Sequence, residues 1–303
     1  MERLLAGQPA LRRSLGGLER AAESGAPLLL VGEAGTGRTA LARAVHASSP
    51  RAAGPLVELD PGSVPPALFE SDLFGYRPGA FTGAGTAAPG RLERAAGGSL
   101  LLDRVEELPL PVQPKLLRLL SEGVYAPLGG GRERRADVRF LSVGPEELRR
   151  RVEAGTFRED LYYRLEVLAF RVPPLRERPG DLPALLDRLL AEMAERFGRG
   201  RVTLSRAARE WMVQHPWPGN LRQLKNVLER SLVLAGGGGA GEQVLDPEPP
   251  PGSDERPRPL PVVEAEEIRR ALAYTRGHQG RAAELLGISR KALWAKRKRY
   301  GIP

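Results

Sequence analysis

The chain has 303 residues, of which 41% are hydrophobic and 27% are charged, and it contains no cysteine. Such a composition excludes a chain that is disordered throughout, and the length allows a large domain together with a small one. The absence of cysteine excludes disulfides, thiolate metal sites and thiol nucleophiles, and it fits a reducing compartment. The net charge of +9 favours a polyanionic partner.

No stretch of the sequence is long and apolar enough to predict a membrane span, and residues 1–16 lack the apolar segment of a signal peptide. We therefore expect a cytoplasmic protein with no membrane partner. The positive charge is concentrated at the C-terminal end, because residues 281–303 contain seven Lys or Arg and one acidic residue.

Residues 9–24 predict one amphipathic helix. Beyond it, short apolar runs typical of strands buried in a parallel sheet alternate with helical patterns. The apolar runs lie at 27–31, 56–59, 99–102, 138–141 and 167–170, and the helical patterns include 41–45 and 115–121. This alternation predicts an α/β fold in which helices cover a parallel sheet.

The C-terminal part of the sequence is predicted to be helical. Helices at 182–197, 205–214 and 221–235, with no strand between them, predict a helical subdomain. Glycines and prolines from 236 to 261 predict a linker that cannot bury enough apolar area to fold. Residues 267–300 predict a helix, then a second helix, a glycine turn and a basic helix capped by Ser289. That is the pattern of a helix-turn-helix, whose last helix enters the major groove of DNA.

A glycine-rich segment follows the first predicted strand and opens a helix, as in a phosphate-binding P-loop. Its candidate nucleotide ligands are Gly32, Glu33, Ala34, Gly35, Thr36, Gly37, Arg38 and Thr39, and Thr39 is placed to bind Mg²⁺. The alternative is a strand–helix turn that binds no ligand. Arg38 occupies the position where the P-loop motif has Lys, and its planar fork replaces a compact ammonium. We therefore expect weakened nucleotide binding and still weaker hydrolysis.

A short apolar loop has glycine near both ends, which allows sharp turns. It consists of Gly79, Ala80, Phe81, Thr82, Gly83 and Ala84. Taken alone, it could be a mobile surface loop whose Phe81 folds back onto the core. The string resembles the GAFTGA loop of the bacterial enhancer-binding proteins, the AAA+ activators of sigma-54 RNA polymerase. The resemblance implies that these residues contact sigma-54.

The resemblance covers nearly the whole chain and implies its domain organisation. It implies an AAA+ P-loop parallel-sheet sandwich over 1–174, a helical lid over 175–236, a flexible Gly/Pro-rich linker over 237–261 and a Fis-type helix-turn-helix over 262–303. ATP and Mg²⁺ are the implied cofactors. The implied partners are upstream activating DNA, sigma-54 with RNA polymerase, and further copies of the chain in a ring of six.

Asp103 ends a predicted strand and resembles the Walker B acid on the Mg²⁺ side of the site. The next position, where the family has the Glu that polarises water, is Arg104, which can accept no proton. Placed beside Asp103, it could also form an ion pair that competes with the metal. Glu106 and Glu107 are possible substitute bases, although each lies too far past the strand end.

Two more positions depart from the family pattern. Asp60 replaces an Asn that senses the terminal phosphate and restrains the catalytic Glu, and Gly144 with Pro145 replaces a Thr-Asn sensor pair. Together with Arg38 and Arg104, these departures predict impaired hydrolysis.

Three arginines match family residues that act on the nucleotide. Arg158 and Arg164 lie in a segment resembling the one whose arginines reach into the neighbouring subunit's site. Arg222 resembles the sensor II arginine of the lid. These residues imply a closed ring in which neighbouring subunits share each nucleotide site. The alternative is that Arg158 and Arg164 are ordinary charges on a surface helix.

The basic helix at the C-terminal end carries the candidate DNA contacts. Arg290 and Lys291 are predicted to reach base edges. Lys296, Arg297, Lys298 and Arg299 are predicted to bind phosphates. Leu293 should be in the core, and Trp294 could be buried or exposed. The alternative is a solvated basic helix.

Three functions fit the sequence. The first is an ATP-driven remodelling enzyme that binds DNA, forms a ring and acts on sigma-54. The second is a non-catalytic DNA-binding regulator that joins rings of active relatives or competes with them. The third is a DNA-binding protein whose AAA+ part is an oligomerisation scaffold. No sensory segment precedes the P-loop domain in this sequence. If the chain is complete, regulation is expected from another protein, from expression level or from the nucleotide.

Overall fold

The computed structural model describes residues 1–82, 84–236, 241, 243–249, 260–275 and 277–302. These residues form two compact units, Met1–Glu248 and Pro249–Pro303. Among the described helices, none has the length and apolar character needed to cross a bilayer.

The strands are given in chain order. They are β1 (Leu28–Gly32), β2 (Leu56–Leu59), β3 (Gly75–Tyr76), β4 (Ala88–Pro89), β5 (Ser99–Asp103), β6 (Val124–Tyr125), β7 (Arg134–Arg135), β8 (Arg139–Gly144), β9 (Ala169–Val172), β10 (Val202–Leu204) and β11 (Gln243–Leu245).

The helices of the first unit are α1 (Glu2–Leu5), α2 (Pro9–Ser14), α3 (Leu18–Glu23), α4 (Arg38–Ala47), α5 (Pro66–Phe74), α6 (Arg91–Arg94), α7 (Gln113–Glu122), α8 (Leu148–Glu153), α9 (Glu159–Leu165), α10 (Leu182–Arg196), α11 (Arg206–Gln214) and α12 (Asn220–Leu234). Those of the second unit are α13 (Leu260–Tyr274), α14 (Gln279–Leu285) and α15 (Arg290–Arg299).

The central sheet of the first unit is parallel, with its strands in the order β2-β5-β8-β1-β9. Its side chains alternate between two cores, as the period of a strand requires. Leu28 and Leu30 of β1 pack in one core with Leu41 of α4, while Leu29 packs in the other core with Leu116 of α7. The predicted α/β sandwich is confirmed, and each of the five predicted apolar runs contributes a strand.

The helix predicted over residues 9–24 is wrong, because the structure has two helices there, α2 and α3. They are separated at Gly17, which caps α3 with φ of 91°. A residue in that left-handed conformation cannot continue a right-handed helix.

The helical lid contains two strands that the sequence did not predict. β10 and β11 pair in parallel, with Leu204 opposite Leu245, and both side chains are buried in the lid core. The first part of the predicted linker is therefore attached to the lid. The rest of the predicted linker, at 237–240, 242 and 250–259, lies outside the described residues.

The second unit packs three helices around a small apolar core. Its buried side chains are Ala265, Ile268, Ala271, Ala282, Ala283, Leu293 and Ile302. Ser289 caps α15, since its hydroxyl accepts a hydrogen bond from the backbone N of Ala292 at 3.1 Å. The predicted helix-turn-helix, its cap and the burial of Leu293 are confirmed.

Candidate functional site

The P-loop joins β1 to α4 at the carboxyl edge of the sheet. Gly35 and Gly37 have φ of 78° and 98°, a conformation that strains other residues. A Cβ atom on Gly35 would lie 2.5 Å from the carbonyl oxygen of Gly219. The hydroxyl of Thr36 donates to the carbonyl of Glu33 at 2.8 Å. The segment thus has the backbone form that presents N–H groups to an anion at a helix N-terminus.

Thr39 and Asp103 meet beside the P-loop. The Thr39 hydroxyl donates to Oδ2 of Asp103 at 2.9 Å. Hydroxyl and carboxylate oxygens are ligands that Mg²⁺ accepts, and Mg²⁺ bound with a nucleotide uses few protein ligands. In the described part of the chain no three His, Cys, Asp or Glu side chains are grouped to hold a metal. This corner therefore fits Mg²⁺ held jointly with phosphates.

Arg38 fits the role of phosphate-binding cation poorly. Its Nη1 donates to the carbonyl of Gly32 at 2.5 Å and also to the carbonyl of Gly144. Burial lowers the pKa of Arg38. A Cβ atom on Gly144 would lie 2.9 Å from Val105 Cγ1, so a larger residue would crowd this position. The guanidinium joins the ends of β1 and β8, which are neighbours in the sheet.

Arg104 pairs with Asp60 and not with Asp103, so the predicted competition for the metal ligand is wrong. Nε of Arg104 donates to Asp60 Oδ1 and Oδ2 at 2.8 and 3.0 Å, and Nη2 donates to Oδ2. The backbone of Arg104 is left-handed, with φ of 57°. This turn directs the side chain over Gly62, where a Cβ atom would lie 2.8 Å from Arg104 Cζ. Only the backbone N of Arg104 bonds Asp103, at 3.0 Å.

The four departures from the family pattern thus form two bonded pairs. Asp60 follows β2 and Arg104 follows β5, and these strands are adjacent. Arg38 follows β1 and Gly144 ends β8, and these strands are adjacent as well. Each departure therefore contacts the other member of its pair at the edge of the sheet where a nucleotide would bind.

Glu106 lies beside the second pair. A Cβ atom on Gly144 would be 3.6 Å from its Oε2, and this oxygen is buried with no hydrogen-bond donor among the described residues. Burial raises the pKa of Glu106. Glu107, the other candidate base, is exposed to solvent.

The lid closes on the P-loop through residues that sequence reasoning missed. Nδ2 of Asn220 donates to Glu33 Oε2 and to the Ala34 carbonyl at 3.2 and 3.1 Å. Arg176 donates to both carboxylate oxygens of Glu33, at 2.7 and 2.5 Å. The Arg176 guanidinium is the main reason that the pKa of Glu33 falls to about 2. No local motif marked Arg176, whereas Asn220 lies two residues before the sensor II candidate Arg222.

Arg178 was missed as well, and it is buried beneath the P-loop. It donates to the Thr36 carbonyl at 3.1 Å and to Gln8 Oε1 at 3.2 Å. Burial lowers the pKa of Arg178 to about 10. The pattern of alternating polar and apolar residues gave no signal that this arginine would be interior.

The candidate arginines occupy three different settings. Arg222 lies in the first turns of α12 against Gly35, where a Cβ atom would be 3.2 Å from Arg222 Cβ. Arg158 is half exposed and pairs with Asp160 at 2.8 Å. Arg164 donates from Nε and Nη2 to the Leu120 carbonyl, at 3.0 and 2.8 Å.

The GAFTGA-like loop projects between β3 and β4. The backbone N of Gly79 donates to the Ala84 carbonyl at 2.8 Å, and the N of Ala84 donates to the Phe81 carbonyl at 3.0 Å. Phe81 is 39% exposed, and its ring meets the Tyr76 ring edge-on at 4.9 Å between centroids. Gly83 lies outside the described residues. The loop is closed at its base and leaves an aromatic edge in solvent.

The basic helix α15 does not offer all its cations to solvent. Lys296 donates to Glu264 at 2.7 Å, and the Tyr300 hydroxyl donates to the same oxygen at 2.6 Å. The prediction that Lys296 binds phosphate therefore conflicts with the hydrogen bond that Lys296 makes to Glu264 within the domain. Arg297 is only partly exposed. Arg290 lies over Gly280, where a Cβ atom would be 2.7 Å from Nη2.

The exposed face of α15 carries one aromatic and several cations. Trp294 is 59% exposed, and Nζ of Lys298 lies 5.5 Å from its ring centroid. Lys291 and Arg299 are exposed as well. These side chains are available to a nucleic acid.

A parallel sheet with a P-loop after β1, an acid at the end of β5 and a helical lid over the loop defines an AAA+ type of nucleotide-binding domain. Sequence profiles agree along the chain: the sigma-54 interaction domain matches residues 4–171, the AAA+ ATPase lid domain 176–258, and the Fis-family bacterial regulatory protein 259–300. The chain belongs to the sigma-54-dependent transcriptional activators. The predicted family and fold class are confirmed.

Similar proteins extend beyond this chain. It is 40% identical over 294 residues to the Nif-specific regulatory protein of Azotobacter vinelandii, covering 93% of this chain and 55% of that protein. It is 37% identical over 312 residues to the regulatory protein AtoC of Escherichia coli strain K12, covering 99% and 68%. The chain therefore spans about half to two thirds of these relatives.

Solved structures are similar to this chain as well. A crystal structure of NtrX from Brucella abortus matches with a TM-score of 0.74 and 33% identity, covering 97% of this chain and 68% of that one. A structure of the same protein in complex with ATP matches with a TM-score of 0.69 and 33% identity, covering 98% of this chain and 68% of that one.

Proposed function

We propose that this protein is a DNA-binding transcriptional regulator that acts on sigma-54 RNA polymerase from the cytoplasm. The observation that carries the proposal is the loop at Gly79–Ala84, which presents Phe81 to solvent at the tip of a hydrogen-bonded turn. An aromatic side chain held at an exposed tip is a typical protein-binding anchor. Family membership supports sigma-54 as the partner of this loop.

Nucleotide binding is the second part of the proposal. The backbone N–H groups of Gly35, Thr36 and Gly37 would hold the phosphates of ATP, and Thr39 with Asp103 would hold Mg²⁺. When bound, Mg²⁺ neutralises phosphate charge. Arg222 and the lid contacts to Glu33 lie against the same loop, so the lid is placed to respond to nucleotide.

Hydrolysis is expected to be impaired. Arg104 cannot accept a proton, and it is bonded to Asp60. Arg38 is bonded to the carbonyls of Gly32 and Gly144. A site without its positioned base typically loses 10²–10⁴-fold in rate, so we expect a reduction of about that size.

Assembly into a ring, a hexamer if the family pattern holds, would bring an arginine of one subunit to the site of the next. Arg158 suits this role better than Arg164. Among the described residues, the guanidinium of Arg158 is half exposed and bonds only Asp160, whereas the guanidinium of Arg164 is bonded to the Leu120 carbonyl of α7. Arg164 therefore serves the packing of α9 on α7.

A second function is favoured by the two bonded pairs at the positions that depart from the family pattern, Arg104 with Asp60 and Arg38 with Gly144. A subunit that binds nucleotide without turning it over would join rings of active relatives, or compete with them for DNA and sigma-54. DNA binding through Lys291, Trp294 and Lys298 is common to both functions.

Steady-state phosphate release with Mg²⁺-ATP separates the two functions. We expect the full chain to turn over at least about 10²-fold more slowly than an active relative. The control variant is Asp137→Ala, because Asp137 is exposed and pairs with Arg51 away from the site. The non-catalytic function would be excluded if the unmodified chain turns over as fast as a relative, and if Asp103→Ala loses this turnover while Asp137→Ala keeps it. A change in the relative's rate on mixing supports mixed rings.

A further inference from the structure

Glu106 brings an acid to the sheet edge that carries the nucleotide site. It lies in the single helical turn Val105–Glu107, which directly follows β5. Because β8 lies between β5 and β1 in the sheet, this turn, the P-loop and Gly144 at the end of β8 share one edge. A Cβ atom on Gly144 would be 3.6 Å from Glu106 Oε2, and the Gly144 carbonyl accepts a bond from Arg38. Glu106 and Arg38 are therefore both next to Gly144.

The Glu106 carboxylate has an oxygen that folding leaves unsatisfied. Oε2 is buried, and in the part of the chain that the structure describes no donor bonds this atom. Burial is the largest influence on the pKa of Glu106 and raises it, while the charges of Arg38 and Arg151 act in the opposite direction. A buried carboxylate oxygen without a donor costs free energy of folding. Stability therefore gives no reason for an acid at this position.

The P-loop cation does not leave a positive excess at this edge. Nη1 of Arg38 is bonded to the carbonyls of Gly32 and Gly144, which are both strand ends. Burial lowers the pKa of Arg38, and Glu106 opposes this lowering more strongly than Asp103 does. The positive charge of Arg38 is thus already matched by the neighbouring Glu106 carboxylate.

The terminal phosphate of a bound nucleotide would lie on the side of these charges. In P-loop proteins Mg²⁺ bridges the last two phosphates, and the corner that fits Mg²⁺ is formed by Thr39 and Asp103, whose side chains are bonded at 2.9 Å. Asp103 ends β5, and Glu106 lies in the turn that follows. At an effective dielectric constant of about 20, repulsion between unit charges about 8 Å apart weakens binding by more than about tenfold.

We propose that the nucleotide site of this protein prefers a nucleoside diphosphate to the triphosphate, and that Glu106 sets this preference by repelling the terminal phosphate. The proposal rests on the nucleotide binding put forward above. A diphosphate is bound through the backbone N–H groups of residues 35–37 and gains what the P-loop offers. The third phosphate adds negative charge where Glu106 already supplies one. Glu106 is thus a residue that determines nucleotide specificity.

This preference has a consequence that slow hydrolysis alone does not have. A subunit that only hydrolyses slowly stays in the triphosphate state, whereas a subunit with this preference stays in the diphosphate state. In a ring shared with active relatives, it would hold the product nucleotide while its neighbours turn over ATP.

The test compares two affinities of the full chain with Mg²⁺ at pH 8, one for ADP and one for the non-hydrolysable analogue adenylyl imidodiphosphate, by titration calorimetry. The unmodified chain should bind ADP about tenfold more tightly than the analogue. Glu106→Gln should tighten the analogue about tenfold and ADP by no more than about threefold. The change in the ratio between the chain and its variant is the readout, because any weakness of the analogue itself cancels in it.

The control is Glu153→Gln, which removes the same charge from an exposed residue at the end of α8 and should leave the ratio within about twofold. Glu106→Ala removes the carboxylate without adding a polar group, and it should shift the ratio in the same direction even if Glu106→Gln folds poorly. A ratio that is unchanged in both Glu106 variants, or that shifts equally in Glu153→Gln, overturns the inference and leaves the proposed function standing. Absence of binding of either nucleotide to the unmodified chain overturns both.

Discussion

Arg38 occupies the cation position of the P-loop, yet its guanidinium is bonded to the carbonyls of Gly32 and Gly144. Both bonds come from the one nitrogen Nη1. The shorter side chain of a lysine would not bring its ammonium to the same point, so the ammonium would be free to face a phosphate. We predict that Arg38→Lys binds the triphosphate about tenfold more tightly than the unmodified chain. It should also lose about 1–2 kcal/mol of unfolding free energy, since two charged hydrogen bonds are weakened.

Calorimetric titration and urea unfolding of the full chain measure the two effects. Arg38→Met, which removes the charge at similar length, is the control and should weaken nucleotide binding. If Arg38→Lys weakens binding as much as Arg38→Met does, Arg38 contacts the phosphates directly and the interpretation of its hydrogen bonds is wrong.

Glu33 links the P-loop to the lid in a pH-dependent way. Its pKa is lowered from 4.5 to about 2, chiefly by Arg176, so the folded form favours the ionised carboxylate. The resulting stability is present above the unfolded pKa and is lost as pH falls from about 4.5 towards 2. Because Glu33 and Arg176 are partly exposed, we expect a contribution of only about 1 kcal/mol at pH 7.

Unfolding midpoints in urea at several pH values should show this loss in the unmodified chain and a flatter profile in Glu33→Gln. Glu122→Gln, which removes an exposed helix pair with Arg118, serves as the matched control. Parallel pH profiles for the unmodified chain and Glu33→Gln would contradict the assignment.

At the level of elements, two lysines of α15 have different roles. Lys296 is bonded to Glu264 of α13, while Lys298 is exposed beside Trp294. We predict that Lys298→Ala lowers the salt dependence of DNA binding by about one released counterion. Lys296→Ala should leave that slope unchanged and speed amide exchange in α13, because it removes a contact between helices.

Fluorescence anisotropy of a labelled duplex at several salt concentrations gives the slope, and hydrogen exchange of the full chain gives the protection of α13. If Lys296→Ala and Lys298→Ala reduce the salt dependence of DNA binding equally, Lys296 contacts phosphate and the distinction between the two lysines is wrong.

The elements that were predicted correctly from the sequence are those whose structure is determined by residues close to them in the chain. Apolar runs such as that at 99–102 define buried strands without outside help, and Ser289 marks its helix start by a bond three residues away. The break at Gly17 was missed because the apolar spacing continues across it. β10 was missed because it is three residues long and pairs with β11 across a glycine-rich segment.

The candidate site was predictable only in part, for a related reason. The P-loop ligands are contiguous in the sequence, so their spacing alone indicates a phosphate cradle. The contact between Arg104 and Asp60 spans 44 residues and that between Arg38 and Gly144 spans 106. Both contacts follow from the strand order, which sets β2 beside β5 and β1 beside β8. Motif positions mark these residues as unusual but do not reveal that they bond one another.

At the scale of the whole first unit, the nucleotide site and the loop share one stretch of chain. The segment between Asp60 and Arg104 includes α5, the loop and β5, and the ion pair closes its two ends. A change at the phosphate end can therefore reach Phe81 without passing through the lid. This arrangement supports a protein whose nucleotide state sets its contact with sigma-54, with or without rapid hydrolysis.

The most direct measurement is capture of purified sigma-54 by the full chain with Mg²⁺ and adenylyl imidodiphosphate, with ADP, or without nucleotide. We predict capture with the triphosphate analogue, little with ADP, and loss of capture in Phe81→Ala. Leu110→Ala, which removes a comparably exposed apolar side chain, should bind normally. Equal capture by Phe81→Ala and the unmodified chain, in every nucleotide state, would contradict the account.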